Sequence, residues 1–109
     1  TGKLSEESLI KSIEKEQYTY VKACLALLAN LPLRVIDKAI QLQNGKAIVS
    51  IVAKAGMTMR LALLVQRSVA EMVRGIVYPK KAMEFPLTED EMAWQLQIFS
   101  ELIWTLKEN

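Results

Sequence analysis

The residue types best suited to chemistry in this chain are three arginines at a regular interval. Arg60, Arg67 and Arg74 stand seven apart. Seven residues nearly complete two helical turns, so on one helix the three share a face at roughly 10 Å intervals. Guanidinium groups grip phosphates and carboxylates in bidentate fashion, and such a row suits an anionic partner. The simpler reading is a solvated face. Glu71 lies four residues after Arg67 and three before Arg74, within pairing distance of both, and Glu89, Asp90 and Glu91 offer further neutralisation.

Catalytic equipment is sparse. Histidine is absent, which removes the commonest general base and the commonest metal ligand. The chain has no phosphate-binding glycine loop, no dinucleotide fingerprint, no metal-ligand cysteine spacing and no Ser-His-Asp set. Its single cysteine, Cys24, lies among apolar residues and reads as a small core side chain. A reactive thiol would need a cation nearby to lower its pKa. The acidic groups Glu6/Glu7 and Glu89/Asp90/Glu91 fall at helix starts, where the helix dipole and capping account for them. Tyr18 and Tyr20 flank the start of a helix and read as rim packing. The expectation is a non-enzymatic protein with no cofactor, no metal and no small-molecule substrate.

One segment imitates a DNA reader. Ile51 to Arg60 resembles the turn of a helix-turn-helix, with Ala55-Gly56 closing one helix, Met57 following and Thr58 opening the next. Base reading needs exposed polar side chains. Met59, Arg60, Leu61, Ala62, Leu63 and Leu64 offer one good donor in six positions.

Helices must position these residues. The chain has 109 residues, of which 51% are apolar, with only three prolines and four glycines. That suits a single domain, residues 1–109, built of long helices. It begins with Thr1, so we expect a fragment of a longer protein. No run approaches the ~20 apolar residues of a membrane span, and the cytoplasm is the default compartment. Charge is uneven: residues 1–30 are neutral, 31–82 carry net +7, and 83–109 carry net −5.

Ser5 can cap a first helix reaching about Lys15, and a second runs from about Gln17 to Asn30, with Val21, Cys24, Leu25 and Leu28 inward. Pro32 suits the first turn of a third, whose apolar stripe is Leu33, Ile36, Ala39 and Ile40. Asn44-Gly45 marks a turn. Lys46 to Ala55 is ambiguous, because Ile48, Val49, Ile51 and Val52 are β-branched and read also as a strand. Its helical neighbours and Gly56 favour a helix, which should be the most buried one. Thr58 caps a fifth helix to about Arg74, with Leu61, Leu64, Val65, Met72 and Val73 inward; Gly75 ends it, and Val77 to Leu87 is a loop. Thr88 with Glu91 forms a capping box for the last helix. That helix reaches about Leu106 on a stripe of Met92, Leu96, Phe99, Ile103 and Leu106, widened by Trp94, Ile98, Leu102 and Trp104. Leu25–Ile40 and Ile48–Leu63 are weakly self-similar, each a helix, a break and a helix. The expected class is all-α, about six helices in a compact bundle or an α-solenoid-like, HEAT-like array.

Three segments together carry a family likeness: Leu27-Leu28-Ala29-Asn30-Leu31-Pro32-Leu33; Gly45-Lys46-Ala47 with Lys54 to Ala62 and Gln66; and Phe85 to Met92 followed by Trp94-Gln95-Leu96. In order and spacing the chain resembles the C-terminal part of the domain of unknown function 2336 family, uncharacterised helical proteins largely from alphaproteobacteria. The resemblance implies a longer, bacterial, intracellular parent with helical-repeat character and brings no catalytic residues. In this chain Phe85, Leu87 and Trp94 could clamp the last helix to the body, with Pro86 setting its entry. The expected function is a protein-interaction module, a scaffold or regulator. Its candidate surfaces are Arg60, Arg67 and Arg74 on one side and Trp94 and Trp104 on the other, with self-association as a dimer the simplest form. The alternative is a nucleic-acid-binding regulator using the Lys54–Arg60 segment.

Overall fold

Capping chemistry sets where the helices begin. In the computed structural model, which describes residues 5–107 and side chains as far as Trp104, Ser5 opens α1 (Glu6–Glu14). Its hydroxyl accepts the Ser8 N–H at 3.1 Å, and the Ser8 hydroxyl accepts the Ser5 N–H at 3.2 Å. Thr1 and the side chain of Leu106 lie outside the described residues. α2 spans Tyr18–Ala29, α3 Leu33–Gln41, α4 Gly45–Lys54, α5 Met59–Leu64 and α6 Glu89–Lys107. The described residues contain no strand.

The first four helices end alike. Glu16, Asn30, Gln43 and Gly56 all have positive φ. The N–H that follows each reaches back across the last turn: Gln17 to the Ser12 carbonyl, Leu31 to Ala26, Asn44 to Ala39 and Met57 to Val52, at 2.9 to 3.1 Å. This is the Schellman closure, which satisfies carbonyls that a helix end leaves bare. Asn30 and Gly56 are the residue types such a position favours. Gln43 is not, but its side-chain amide donates to the Ala70 carbonyl at 2.9 Å and helps hold it there. The recurrence of helix, left-handed residue and helix is the physical content of the weak self-similarity.

The ambiguous segment is helical, as its surroundings favour. Asn44 caps α4 by accepting the Ala47 N–H at 3.1 Å, and Ala47, Ile48, Val49, Ile51 and Val52 are all buried. Helix α4 touches α2, α3, α5 and α6. A helix surrounded in this way makes a bundle with a centre, whereas repeats in a solenoid contact only their neighbours. The β-branched residues therefore serve packing on every side of the central helix rather than strand pairing. The radius of gyration, 13.0 Å, is that of a folded chain of about 100 residues. Details of α3 differ from the expectation: Pro32 sits at the capping position just outside it, Leu33 is exposed and Val35 takes its place inside.

The fifth helix departs most. Instead of running to Arg74, α5 ends at Leu64 and passes into a π-helical stretch, Val65–Val69. The Ala70 N–H reaches the Val65 carbonyl at 2.9 Å, and Glu71 turns left-handed with φ 53°. The cause is visible at Gln66, which is wholly buried. Its Nε2 donates to the carbonyls of Val77 at 2.9 Å and Ala62 at 3.3 Å, and its Oε1 accepts the Val77 N–H at 2.8 Å. A buried amide must find partners. A continuous helix to Arg74 would carry the chain away from Gln66, so the wide turn and reversal return Val77 to it. Met72 is buried as expected, but Val73, expected inside, is 88% exposed. Gly45 completes the junction: a Cβ there would stand 2.9 Å from the Gly75 carbonyl oxygen and 2.8 Å from Val77 Cγ2.

The following loop holds one 3-10 turn, Lys81–Met83. At its end the expected capping box forms: the Thr88 hydroxyl accepts the Glu91 N–H at 3.1 Å, and the Glu91 carboxylate accepts the Thr88 N–H at 2.8 Å. Helix α6 then lies across α4, with Met92, Leu96, Phe99 and Ile103 buried.

Candidate interaction surface

The arginine row does not form. Arg60 is on α5, Arg67 is in the π-helical stretch, and Arg74 is in a bend beyond the helix. The π-helical stretch shifts the phase between Arg60 and Arg67, and the left-handed turn at Glu71 takes Arg74 off the helix. Arg60 and Arg67 have separate environments. The Arg60 guanidinium stands 4.0 Å from the Glu7 carboxylate. Arg67 lies 5.6 Å above the ring of Tyr78. Among the described residues no ion pair joins Glu71 to Arg67 or Arg74.

The first-turn acids of α1, Glu6 and Glu7, have structural partners. Glu6 accepts the Thr58 N–H at 2.7 Å, and both its oxygens accept from the Thr58 hydroxyl, at 2.9 and 2.7 Å. Thr58 stands at the N-cap of α5, but its side chain makes no capping bond there: its hydroxyl donates to Glu6, and the carboxylate that takes the N–H at this start comes from α1. With Glu7 beside Arg60, the pair Glu6/Glu7 fastens the first helix to the fifth.

That contact bears on the helix-turn-helix likeness. The second helix of the segment, α5, has six residues, of which Met59, Leu61 and Ala62 are buried. α1 packs against it. A major-groove reader presents an exposed polar face, and this helix presents mainly Arg60. Lys54, at the end of α4, donates its ammonium to the Ala29 carbonyl, where a cation suits the C-terminus of α2.

The outer surface of α6 is different. Trp94 is 58%, Ile98 45% and Leu102 48% exposed. Four-residue spacing stacks their side chains on successive turns, about 12 Å from first to last. Phe85 and Leu87 pack against the core, but Trp94 does not clamp the helix. Trp104 belongs to another flank. Ten residues separate it from Trp94, which leaves it about 80° away around the helix, and the Arg34 guanidinium stacks 3.8 Å from its ring centroid. The two tryptophans expected to share one belt thus divide between an open face and a contact with α3. Nothing in the sequence around Arg34 signals that stacking, because its partner is 70 residues away.

Between α4 and α6 lies a groove of about 440 Å³, walled chiefly by Leu31, Ala53, Met92, Ala93 and Leu96. Its volume is that of a small-molecule pocket; of the polar residues along it, Ser50, Lys54, Glu89, Gln97 and Ser100, the Ser50 hydroxyl donates to the Lys46 carbonyl at 2.8 Å, Lys54 holds the Ala29 carbonyl and Gln97 donates to Glu101. No cluster of metal-ligating side chains occurs among the described residues. Elsewhere, the Glu91 carboxyl pKa is lowered by the Thr88 N–H and hydroxyl, with help from Lys80 and Lys46. The Tyr20 hydroxyl pKa is raised by the neighbouring Cys24 thiol.

Comparison with protein-family models, curated proteins and solved structures gave no match. The likeness to the domain of unknown function 2336 family therefore rests on the three sequence segments alone. No helix among the described residues is long and apolar enough to cross a membrane.

Proposed function

We propose that this chain is a non-enzymatic interaction module of a bacterial cytoplasmic protein, docking a protein partner on the outer face of α6. The observation that carries the reading is the stripe Trp94, Ile98 and Leu102. Helix α6 already seats on the body through Met92, Leu96, Phe99 and Ile103, so the outer stripe adds little to its own fold. Single exposed apolar residues are ordinary, whereas a contiguous row that includes tryptophan suits a binding face. The bacterial, cytoplasmic setting follows the family likeness. A nucleic-acid-binding role is favoured by one observation, the net +7 of residues 31–82, without an aligned basic row to receive a phosphate backbone.

The test is affinity capture with the protein in its cellular extract, comparing wild type with Ile98→Gln/Leu102→Gln and with Arg60→Glu/Arg67→Glu. Glutamine keeps helix propensity and adds no charge. The proposal expects a partner that is lost from the α6 variant and retained by the arginine variant. Retention by the α6 variant with loss from the arginine variant, or DNA binding that weakens steeply with salt, would overturn it.

A further inference from the structure

Resting on that reading, we infer that the occupant of the α6 face is a basic amphipathic helix. The stripe has an acidic frame. Asp90 lies one turn before Trp94 on the same line, Glu91 flanks it there, and Glu101 flanks the gap between Ile98 and Leu102. From Glu89 to Trp104 the helix carries four acids and no basic residue. The Glu91 carboxylate accepts the Thr88 N–H at 2.8 Å, and Glu101 has partners of its own, Gln97 among them, donating at 3.4 Å. Arg34 stacks on Trp104, three residues after Glu101, so its charge stands beside that end of the frame and not beside Asp90.

Charge decides among occupants. A second copy docking the same face by a two-fold axis would set this acidic frame against itself. An acidic or neutral helix would gain the apolar contact without the complementary rim. Three half-exposed side chains make a patch smaller than the ~800 Å² per partner of a standard interface, so the polar rim must contribute, and it selects a cationic partner. A helix entering such a site offers anchors one turn apart, matching the Trp94–Ile98–Leu102 spacing.

The probes are two designed peptides with the same leucine stripe at helical spacing, one with lysine and arginine on its remaining positions and the other with glutamate. Binding to the chain is read by anisotropy of the labelled peptide and mapped by amide chemical shifts. The basic peptide is expected to bind on α6 at least about tenfold more tightly than the acidic one. Ile98→Gln/Leu102→Gln should weaken it by about tenfold or more, and Asp90→Asn/Glu101→Gln by several-fold with a shallower salt dependence. Equal binding of the two peptides, binding of neither, shifts mapped away from α6, or a two-fold dimer through α6 would each overturn the inference. The docking face itself is judged separately: loss of the captured partner on Ile98→Gln/Leu102→Gln, with no effect of Asp90→Asn/Glu101→Gln, leaves the face standing and removes the basic helix.

Discussion

Replacing Gln66 with leucine tests why the fifth helix ends early. The change keeps an apolar body of similar size and deletes three hydrogen bonds: two to Val77 and one to the Ala62 carbonyl. A typical intramolecular hydrogen bond nets about 1 kcal/mol, and a buried group left unmet costs about 1–3 kcal/mol. The Ala62 carbonyl still sits within a helix, so its loss is small. Val77 is only half-buried, so water can partly replace the amide and the cost falls at the lower end, about 2–3 kcal/mol in all. For a domain of this size that corresponds to a fall in melting temperature of roughly 8–15 °C. The loss should also be local. Hydrogen exchange should show the Val77 amide losing protection first, while the amides of α4 retain theirs relative to global stability. An unchanged melting temperature, with Val77 still protected, would refute the reasoning that this amide holds the reversal in place.

Other outcomes follow from the same geometry. Gly45→Ala should destabilise by about 1–2 kcal/mol, since overpacking against the Gly75 carbonyl costs about 1–3 kcal/mol and helix propensity returns at most about 1 kcal/mol. Gly56→Ala meets no atom within 4 Å but must hold φ at 81°, and should cost about 1 kcal/mol from the backbone alone; denaturant midpoints distinguish the two. Glu91 has a lowered pKa in the folded state, so its stabilising effect is present above the ordinary carboxylate range and is lost as pH falls through the folded value. The melting-temperature difference between wild type and Glu91→Gln should therefore shrink on acidification, and a constant difference would contradict the capping role. Ile98→Gln/Leu102→Gln should change stability by no more than about 1 kcal/mol in thermal melts, as surface substitutions do.

Much of the fold was legible because its signals are local. The Thr88/Glu91 capping box, the Ser5 cap and the left-handed Gly56 are written in neighbouring residues, and each helix start or stop they indicate is present. The central position of α4 was legible from composition: a short segment apolar on nearly every side can only be satisfied in the middle. What failed depended on distant contacts. The local pattern puts Val73 and Arg74 on a helix because nothing before Gly75 interrupts it, and the interruption comes from Gln66 meeting Val77 across the chain reversal. The binding of Glu6 to Thr58 and the stacking of Arg34 on Trp104 are likewise contacts between residues far apart in sequence. For the candidate surface, the sequence identified α6 as too apolar for one contact, since Met92, Leu96, Phe99 and Ile103 already fill a face. It could not separate Trp94 from Trp104, because which flank meets α3 depends on how α6 lies on α4.

The central claim, that the outer face of α6 meets a cationic helix of another protein, is tested most directly by a photo-crosslinking residue at position 98 of the protein in living cells, with the same residue at the exposed position 15 of the α1 end as control. A crosslink formed at 98 and not at 15, mapping to a lysine- and arginine-rich helical segment of a second protein, is the result the account predicts. Crosslinks from 98 that stay within the same chain, or that match those from 15, would contradict it.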